Sequence, residues 1–169
     1  MVVFPDIETH RLYLRELTLL DVESVCKHFS DPNVTQYMDI EPCKTMNEAE
    51  EIIQFHIHDS GCRYGIFHKM DNKLIGTCGF HCWVQGEEPR AEIGFDLSSD
   101  FWGQGFMKEA LAELIRIGIN VMKLHYIEAT VEQENIRSQR LLQSMNFTKH
   151  NELKDGLFYY TFIAMDTKL

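Results

Sequence analysis

The chain has 169 residues, with 16 Lys and Arg against 26 Asp and Glu, so its formal net charge at pH 7 is −10. This charge disfavours nucleic acid as a partner, because phosphate backbones bind to basic protein faces. Hydrophobic residues make up 44% of the chain and charged residues 25%, which is typical of an ordinary globular protein. No linker, repeat or low-complexity tract divides the sequence, so we expect a single domain over residues 1–169.

The cysteines and the apolar runs bear on the compartment of the protein. Five cysteines without a Cys-x-x-Cys pair indicate reduced thiols, as in a cytoplasmic protein. No apolar run approaches the ~18 residues that span a bilayer. The first ten residues include Asp6 and Glu8 and lack an apolar segment, which argues against a signal peptide. We therefore expect a cytoplasmic protein without a membrane partner.

The first predicted elements are a strand and a helix. Residues 11–15 alternate polar and apolar side chains, which predicts a strand. Thr18 is expected to cap a helix over residues 18–29, with Asp21 in the capping-box position. The dipeptide Asp31-Pro32 is expected to end this helix.

A second helix and three strands are predicted next. The helix covers residues 47–58, and the strands cover 64–68, 74–84 and 90–97. Short turns join the strands, so we expect an antiparallel meander. In the last strand, alternation assigns two sets of residues to opposite faces, Ala91, Ile93, Phe95 and Leu97 on one and Arg90, Glu92, Gly94 and Asp96 on the other.

The last part of the chain predicts a helix at 106–122, a strand at 125–131, a helix at 135–145 and a hairpin of strands 147–152 and 158–164. The resulting order is βααβββαβαββ. A crossover helix separates the strands at 90–97 and 125–131, so these two should run parallel in a mostly antiparallel α+β sheet.

A glycine turn opens the strongest predicted helix. Gly103 and Gly105 precede Phe106, and glycine lets backbone N–H groups converge on an anion at a helix start. The pattern is also compatible with a simple tight connection. It is not a dinucleotide fingerprint, because Lys108 stands where that fingerprint has glycine, and the Gly-Lys-Ser/Thr of a P-loop is absent.

The helix at 135–145 carries a hydroxyl on its apolar face. Asn135 is a natural N-cap, and Ser138 shares a face with Leu141, Leu142 and Met145. The Ser138 hydroxyl needs a partner, which is either the carbonyl four residues back or a ligand in a cleft. Asn146 follows where the helix end favours a left-handed residue.

These segments resemble the acetyl-CoA-binding motifs of the GNAT N-acetyltransferase superfamily, in particular its ribosomal-protein alanine N-acetyltransferase (RimJ/RimL-like) branch. The similar pieces run in the family's order over most of the chain: Thr9-x-Arg-Leu-x-Leu-Arg15 with Asp21, Ile75-Gly-Thr, Ala91-Glu-Ile-Gly94, Trp102-Gly-x-Gly-x-x-x-Glu-Ala-Leu111, and Asn135-x-x-Ser-x-x-x-Leu with Phe147. Two positions depart from the pattern. Met107 is bulkier than the usual Gly or Ala, so it either narrows the pyrophosphate pocket or points into the core, and Asn146 replaces a Gly.

The resemblance implies a GNAT fold with acetyl-CoA as cofactor. The pantetheine would lie along residues 93–97, and the pyrophosphate on the N–H groups of residues 104–107. The parallel strand pair would splay to admit the acceptor amine. The cofactor-binding residues implied in this way are Phe95, Asp96, Leu97, Trp102, Gly103, Gln104, Gly105, Phe106, Met107, Asn135 and Ser138.

The resemblance also suggests catalytic residues. An acceptor α-amine has a pKa of ~8 and a lysine ~10.4, so a base or a water relay is useful. Glu92 is the candidate base, although a solvated carboxylate in an alternating strand is an equal interpretation. His81 is the alternative base, or else a packed histidine. Ser138 is the candidate acid or hydrogen-bond donor for the departing CoA thiolate.

Several alternatives remain at the level of sequence. The spacing of histidines and cysteines predicts no metal site. The acceptor is expected to be a peptide N-terminus or a small cationic amine, and the protein a monomer or homodimer. The alternatives are a non-catalytic acyl-CoA-binding regulator and an acetyltransferase for small molecules such as antibiotics or polyamines.

Overall fold

The computed structural model describes residues 2–164. Its elements in chain order are β1 (Ile7–Glu8), β2 (Leu12–Arg15), α1 (Val22–Phe29), α2 (Pro32–Thr35), α3 (Met46–His58), β3 (Cys62–His68), β4 (Lys73–Val84), β5 (Arg90–Leu97), α4 (Phe106–Asn120), β6 (Tyr126–Val131), α5 (Ile136–Ser144), β7 (Thr148–Lys154) and β8 (Leu157–Ile163). Short 3-10 turns at Leu19–Asp21 and Ser99–Phe101 precede α1 and α4.

The strands form one sheet in the order β1-β2-β3-β4-β5-β6-β8-β7. Every neighbouring pair is antiparallel except β5 and β6, which confirms the parallel pair predicted from the crossover helix. The mostly antiparallel α+β fold predicted from the sequence is therefore confirmed.

The first 35 residues differ from the sequence prediction in three places. A two-residue strand, β1, pairs with β2 and is too short to show a pattern in the sequence. The helix capped by Thr18 begins as a 3-10 turn, and its α-helical part starts at Val22. Asp31-Pro32 ends α1 as expected, but Asp31 also caps α2, because proline is well tolerated in the first turn of a helix.

Helices cover both faces of the sheet and create two cores. Helix α4 packs on one face, over a core that includes Phe80, Ile93, Leu111 and Leu114. Helices α1 and α3 pack on the other face, over a smaller core around Phe29 and Ile53. The polar face of β5, which carries Glu92, Gly94 and Asp96, therefore belongs to the side of the sheet that α1 and α3 cover.

The parallel strands diverge along their length. Backbone pairing between β5 and β6 covers only Arg90 with Tyr126, Ala91 with Ile127 and Glu92 with Glu128. Both strands continue beyond this point, to Leu97 and Val131. The splay expected from the family resemblance is present, and it begins immediately after Glu92.

Candidate active site

The glycine turn adopts a conformation that few other residues tolerate. Gly103 and Gly105 have φ angles of +71° and +81°, and Gly105 is the N-cap of α4. The first N–H groups of a helix have no partner within the helix, so those after Gly105 are free to bind an anion. Trp102 is fixed against β5, because its Nε1 donates to the Leu97 carbonyl at 2.8 Å.

A salt bridge between Arg11 and Glu109 supports the glycine turn. Arg11 Nη1 donates to the Gln104 carbonyl at 3.0 Å, and Arg11 Nε lies 2.7 Å from Glu109 Oε2. The hydroxyl of Thr9 donates to Glu109 Oε1 at 2.6 Å. Burial alone would raise the pKa of Glu109, but the hydrogen bonds from Thr9 and Arg11 lower it below its ordinary value. Thr9, Arg11 and Glu109 therefore hold the loop in place, a role that the sequence motif did not reveal.

Helix α5 forms the opposite wall. Asn135 caps it, accepting a hydrogen bond from the Ser138 backbone N–H at 3.2 Å. Within residues 2–164 the Ser138 hydroxyl makes no hydrogen bond to its own helix, unlike Ser144, which donates to the Leu141 carbonyl at 2.8 Å. The Arg137 guanidinium stacks 3.3 Å above the Trp102 ring and so connects the two walls.

The walls enclose a groove with a cavity volume of about 370 Å³. Ten of the eleven residues suggested for cofactor binding line it: Phe95, Asp96, Leu97, Trp102, Gly103, Gly105, Phe106, Met107, Asn135 and Ser138. Gln104 is outside the lining, and its side-chain amide donates to the Asp100 carbonyl at 2.9 Å. Met107 is 6% exposed and belongs to the core, so it does not block the groove.

The carboxylate of Asp96 does not face the groove as a free ligand group. His28 Nε2 lies 2.5 Å from Asp96 Oδ1, and the Thr77 hydroxyl donates to Oδ2 at 2.5 Å. The His28 side chain is 1% exposed, so this cluster is sealed between α1 and the sheet. Asp96 is therefore available to a cofactor through its backbone, which is compatible with the expected position of the pantetheine along residues 93–97.

A further wall of the groove comes from the region of α2. Asn33, Val34, Tyr37 and Met38 line it together with the glycine turn. The Tyr37 hydroxyl donates to the Glu134 carbonyl at 3.4 Å, next to the start of α5. This wall could not be predicted from the sequence, because a four-residue helix carries too few positions to show a periodic pattern.

Glu92 lies at the point where β5 and β6 part. Its Oε1 accepts a hydrogen bond from the Thr130 hydroxyl and lies 3.8 Å from His81 Nε2. His81 is the partner of Glu92 in the register of β4 and β5. The Glu92 side chain is 17% exposed, so it differs from a freely solvated strand carboxylate.

The histidine beside Glu92 is neutral near neutral pH. Burial and the positive charge of Arg63 lower the pKa of His81 from its ordinary value of 6.5, although Glu92 acts in the opposite direction. The neutral ring has one unprotonated nitrogen, so it can accept a proton or a hydrogen bond. The pair can therefore act on a protonated amine, with two acceptors side by side.

A second carboxylate lies next to this pair. Glu128, the partner of Glu92 in the parallel register, accepts hydrogen bonds from the Tyr159 hydroxyl at 2.7 Å and from Lys154 Nζ at 3.2 Å. Burial and the bond to Glu128 raise the pKa of Tyr159. Glu128 is thus occupied by partners from β7 and β8, which leaves Glu92 as the less engaged carboxylate at the opening.

The described part of the chain, residues 2–164, contains no helix that is long and apolar enough to cross a membrane.

Comparison with known proteins agrees with this geometry. Residues 11–148 match the family model described as acetyltransferase (GNAT) domain. The chain is 41% identical over 151 residues to uncharacterized N-acetyltransferase p20 of Bacillus licheniformis, covering 87% of this chain and 84% of that protein. It is 31% identical over 106 residues to the [ribosomal protein uS5]-alanine N-acetyltransferase of Escherichia coli, covering 63% of this chain and 55% of that protein.

A solved structure extends the likeness to the fold. The ribosomal L7/L12 α-N-protein acetyltransferase RimL, in complex with coenzyme A, superimposes with a TM-score of 0.81 at 20% identity, over 94% of this chain and 98% of that one. GNAT acetyltransferases use acetyl-CoA as their acetyl donor. The chain belongs to the GNAT family and is an acetyltransferase.

Proposed function

We propose that this chain transfers an acetyl group from acetyl-CoA to a primary amine by direct attack in a ternary complex. The observation that carries the proposal is the position of Glu92, on the same strand as the groove-lining residues 95–97 and at the point where β5 and β6 part. A base and a binding groove on one strand can hold two substrates in line for reaction.

The groove suits a polyanionic cofactor despite the acidic composition of the chain. The left-handed glycines put free helix N–H groups at its floor, and these act through the helix dipole. Lys108 and Arg137 add two cations to its lining. When bound there, acetyl-CoA would supply an acetyl group activated as a thioester.

The proposed base acts on an amine that arrives protonated. Glu92, directly or through a water molecule, accepts a proton from the amine, and Thr130 orients its carboxylate. His81, neutral and 3.8 Å away, can share the proton.

Ser138 is proposed to assist the leaving group. It lines the groove, and its hydroxyl is not bonded to its own helix within residues 2–164. A hydroxyl in this position donates a hydrogen bond to the sulfur on which negative charge develops.

The acceptor is proposed to be a peptide N-terminus or a small cationic amine. One relative is named for the N-terminal alanine of ribosomal protein uS5, which is a protein α-amine. The net charge of −10 favours a cationic acceptor of either kind.

Substitution of the proposed base, Glu92, tests this function. Glu92→Gln keeps the shape of the side chain and removes its basicity, so kcat at about pH 7 should fall by about 10²- to 10⁴-fold. Affinity for CoA should remain, because the glycine turn and α5 are untouched. Free-thiol release on a panel of peptides and polyamines measures kcat, and calorimetry measures CoA binding.

Glu88→Gln is the matched control, since Glu88 is an exposed carboxylate in the turn before β5. It should behave as wild type. CoA binding without turnover on any acceptor would instead identify a regulatory acyl-CoA-binding protein. Turnover with an unchanged rate and pH profile in Glu92→Gln would assign the base to another residue.

A further inference from the structure

Three potential metal ligands from two strands meet beside the opening between β5 and β6. Nitrogen of His81, Sγ of Cys82 and a carboxylate oxygen of Glu92 all lie within 4.8 Å of one another. Sequence spacing did not predict this cluster, because two ligands are adjacent in sequence and the third comes from the neighbouring strand.

A bulge in β4 brings the first two ligands together. Consecutive residues of a regular strand point to opposite faces, so His81 and Cys82 would normally be separated. The register shifts between His81 and Val84, and Cys82 has a φ of +52°, which is unusual for a residue with a side chain. Trp83 then packs against the α4 core although it lies two residues from His81. The bulge therefore leaves His81 and Cys82 side by side.

The donor set and its spacing suit zinc. Tetrahedral zinc with ligand distances of about 2.0–2.3 Å requires ligand atoms roughly 3.5 Å apart. His81 Nε2 and Glu92 Oε1 are 3.8 Å apart, and the exposed Cys82 has its Sγ within 4.8 Å of the ligand atoms of both residues. A thiolate, an imidazole and a carboxylate together favour zinc over magnesium or calcium.

The surroundings also prepare the ligands. The hydroxyl of Thr130 orients the Glu92 carboxylate, as the outer partners of metal ligands commonly do. Zinc binding would release the Cys82 thiol proton to solvent and form the zinc–sulfur bond.

We propose that His81, Cys82 and Glu92 form a zinc site that inhibits acetyl transfer. The inhibitory role rests on the proposed function, because a zinc ion on Glu92 and His81 removes both acceptors for the proton of the amine. The three residues leave the fourth coordination position of the ion to water. An ion held by Glu92 and His81 would compete with the amine for these two groups.

Direct binding tests the site without substrate. The tag-free full-length chain is titrated with zinc against a chromogenic chelator. Wild type should take up a single zinc ion, and Cys82→Ser should bind it at least about tenfold more weakly. Cobalt should give a thiolate charge-transfer band in wild type that is absent in Cys82→Ser.

Cys26→Ser is the matched control, since Cys26 Sγ lies 3.7 Å from Cys43 Sγ and is not part of the His81, Cys82 and Glu92 cluster. It should retain the wild-type zinc affinity and cobalt band. Failure of the wild type to compete with the chelator, or equal affinity in Cys82→Ser, would overturn the site. Loss of zinc binding in Cys26→Ser would assign the metal to Cys26 and Cys43 instead.

Inhibition is then measured on a working acceptor. Zinc should raise the apparent KM for the amine in wild type, and Cys82→Ser should need at least about tenfold more zinc for the same effect. Magnesium should change the apparent KM of neither protein. Cys82→Ser without zinc should have wild-type activity. Zinc bound through Cys82 without inhibition would refute the regulatory role. Absence of transfer to any amine would refute the proposed function, and the chelator titration would still decide the zinc site.

Discussion

At the scale of single residues, Ser138 places a hydroxyl on the apolar face of α5. The hydroxyl lines the groove and has no hydrogen bond within its helix among the described residues, whereas Ser144 of the same helix does. The hydroxyl is therefore free to donate a hydrogen bond to a ligand in the groove, which in the proposed function is the sulfur of the cofactor.

Ser138→Ala should therefore lower kcat more than it weakens CoA binding. The loss of one hydrogen bond to a charged sulfur corresponds to about 1.5–3 kcal/mol, or about 10- to 150-fold in rate. Steady-state thiol release and CoA calorimetry separate the two effects. Ser144→Ala should match wild type, and an equal loss in both variants would mean that helix α5 had been disturbed as a whole.

Some contacts and backbone conformations of single residues could not be predicted from the sequence. Alternation correctly assigned Glu92, Gly94 and Asp96 to one face of β5, because a strand has a fixed period. It could not show that His28, 68 residues before Asp96, would occupy the Asp96 carboxylate. The same limit hid the Cys82 bulge, because a left-handed cysteine leaves no trace in composition or spacing.

At the scale of elements, the start of α1 is held by a network of charged groups. Asp21 accepts a hydrogen bond from the Thr18 backbone N–H at 2.8 Å and two from the Arg15 guanidinium, at 2.9 and 2.8 Å. The hydrogen bond from Arg15, aided by Thr18, lowers the pKa of Asp21 from its ordinary value of 3.8, against the opposing effect of burial. The charged form of Asp21 thus stabilises the junction of β2 and α1.

Asp21→Asn should lower the free energy of unfolding by about 2 kcal/mol at about pH 7. The folded pKa of Asp21 lies below the unfolded value of 3.8, so its contribution is complete above that value and is lost as the pH falls through the folded pKa. Urea denaturation at about pH 7 and about pH 3 should show the difference from wild type narrowing at the lower pH.

The exposed Glu23 in the first turn of α1 provides the control. Glu23→Gln should change the free energy of unfolding by less than about 0.5 kcal/mol at either pH. A difference between Asp21→Asn and wild type that stayed constant with pH would mean that the charge of Asp21 is not what stabilises the junction.

Long elements were predictable and short ones were not. The 15-residue α4 was recognised because its apolar residues recur over four turns, and Gly105 fixes its start. In contrast, β1 and α2 have two and four residues, so no period can be read from them. The α2 region forms a wall of the groove, so the part of the site that it contributes could only be found in three dimensions.

At the scale of the whole molecule, an acidic protein binds an anionic cofactor only if local donors outweigh the overall field. The groove meets this requirement through helix N–H groups and the cations Lys108 and Arg137. Arg11 is close to the turn but is neutralised by Glu109, so it acts as a support and adds little net charge. The net charge of the whole chain, −10, acts at longer range, where it attracts cationic amines and repels the cofactor.

Salt should consequently act differently on the two substrates. Between about 0.01 M and about 0.15 M salt the Debye length falls from roughly 30 Å to roughly 8 Å, so the field of the whole molecule is largely screened while groove contacts persist. For a polycationic peptide acceptor, kcat/KM should fall several-fold over this range. For a peptide with the same N-terminus but uncharged side chains, kcat/KM should change little. The KM for acetyl-CoA should stay constant or fall, because screening weakens its repulsion. A parallel rise of KM for acetyl-CoA and for the polycation would show that bound salt competes in the groove, and that the negative field does not guide the acceptor.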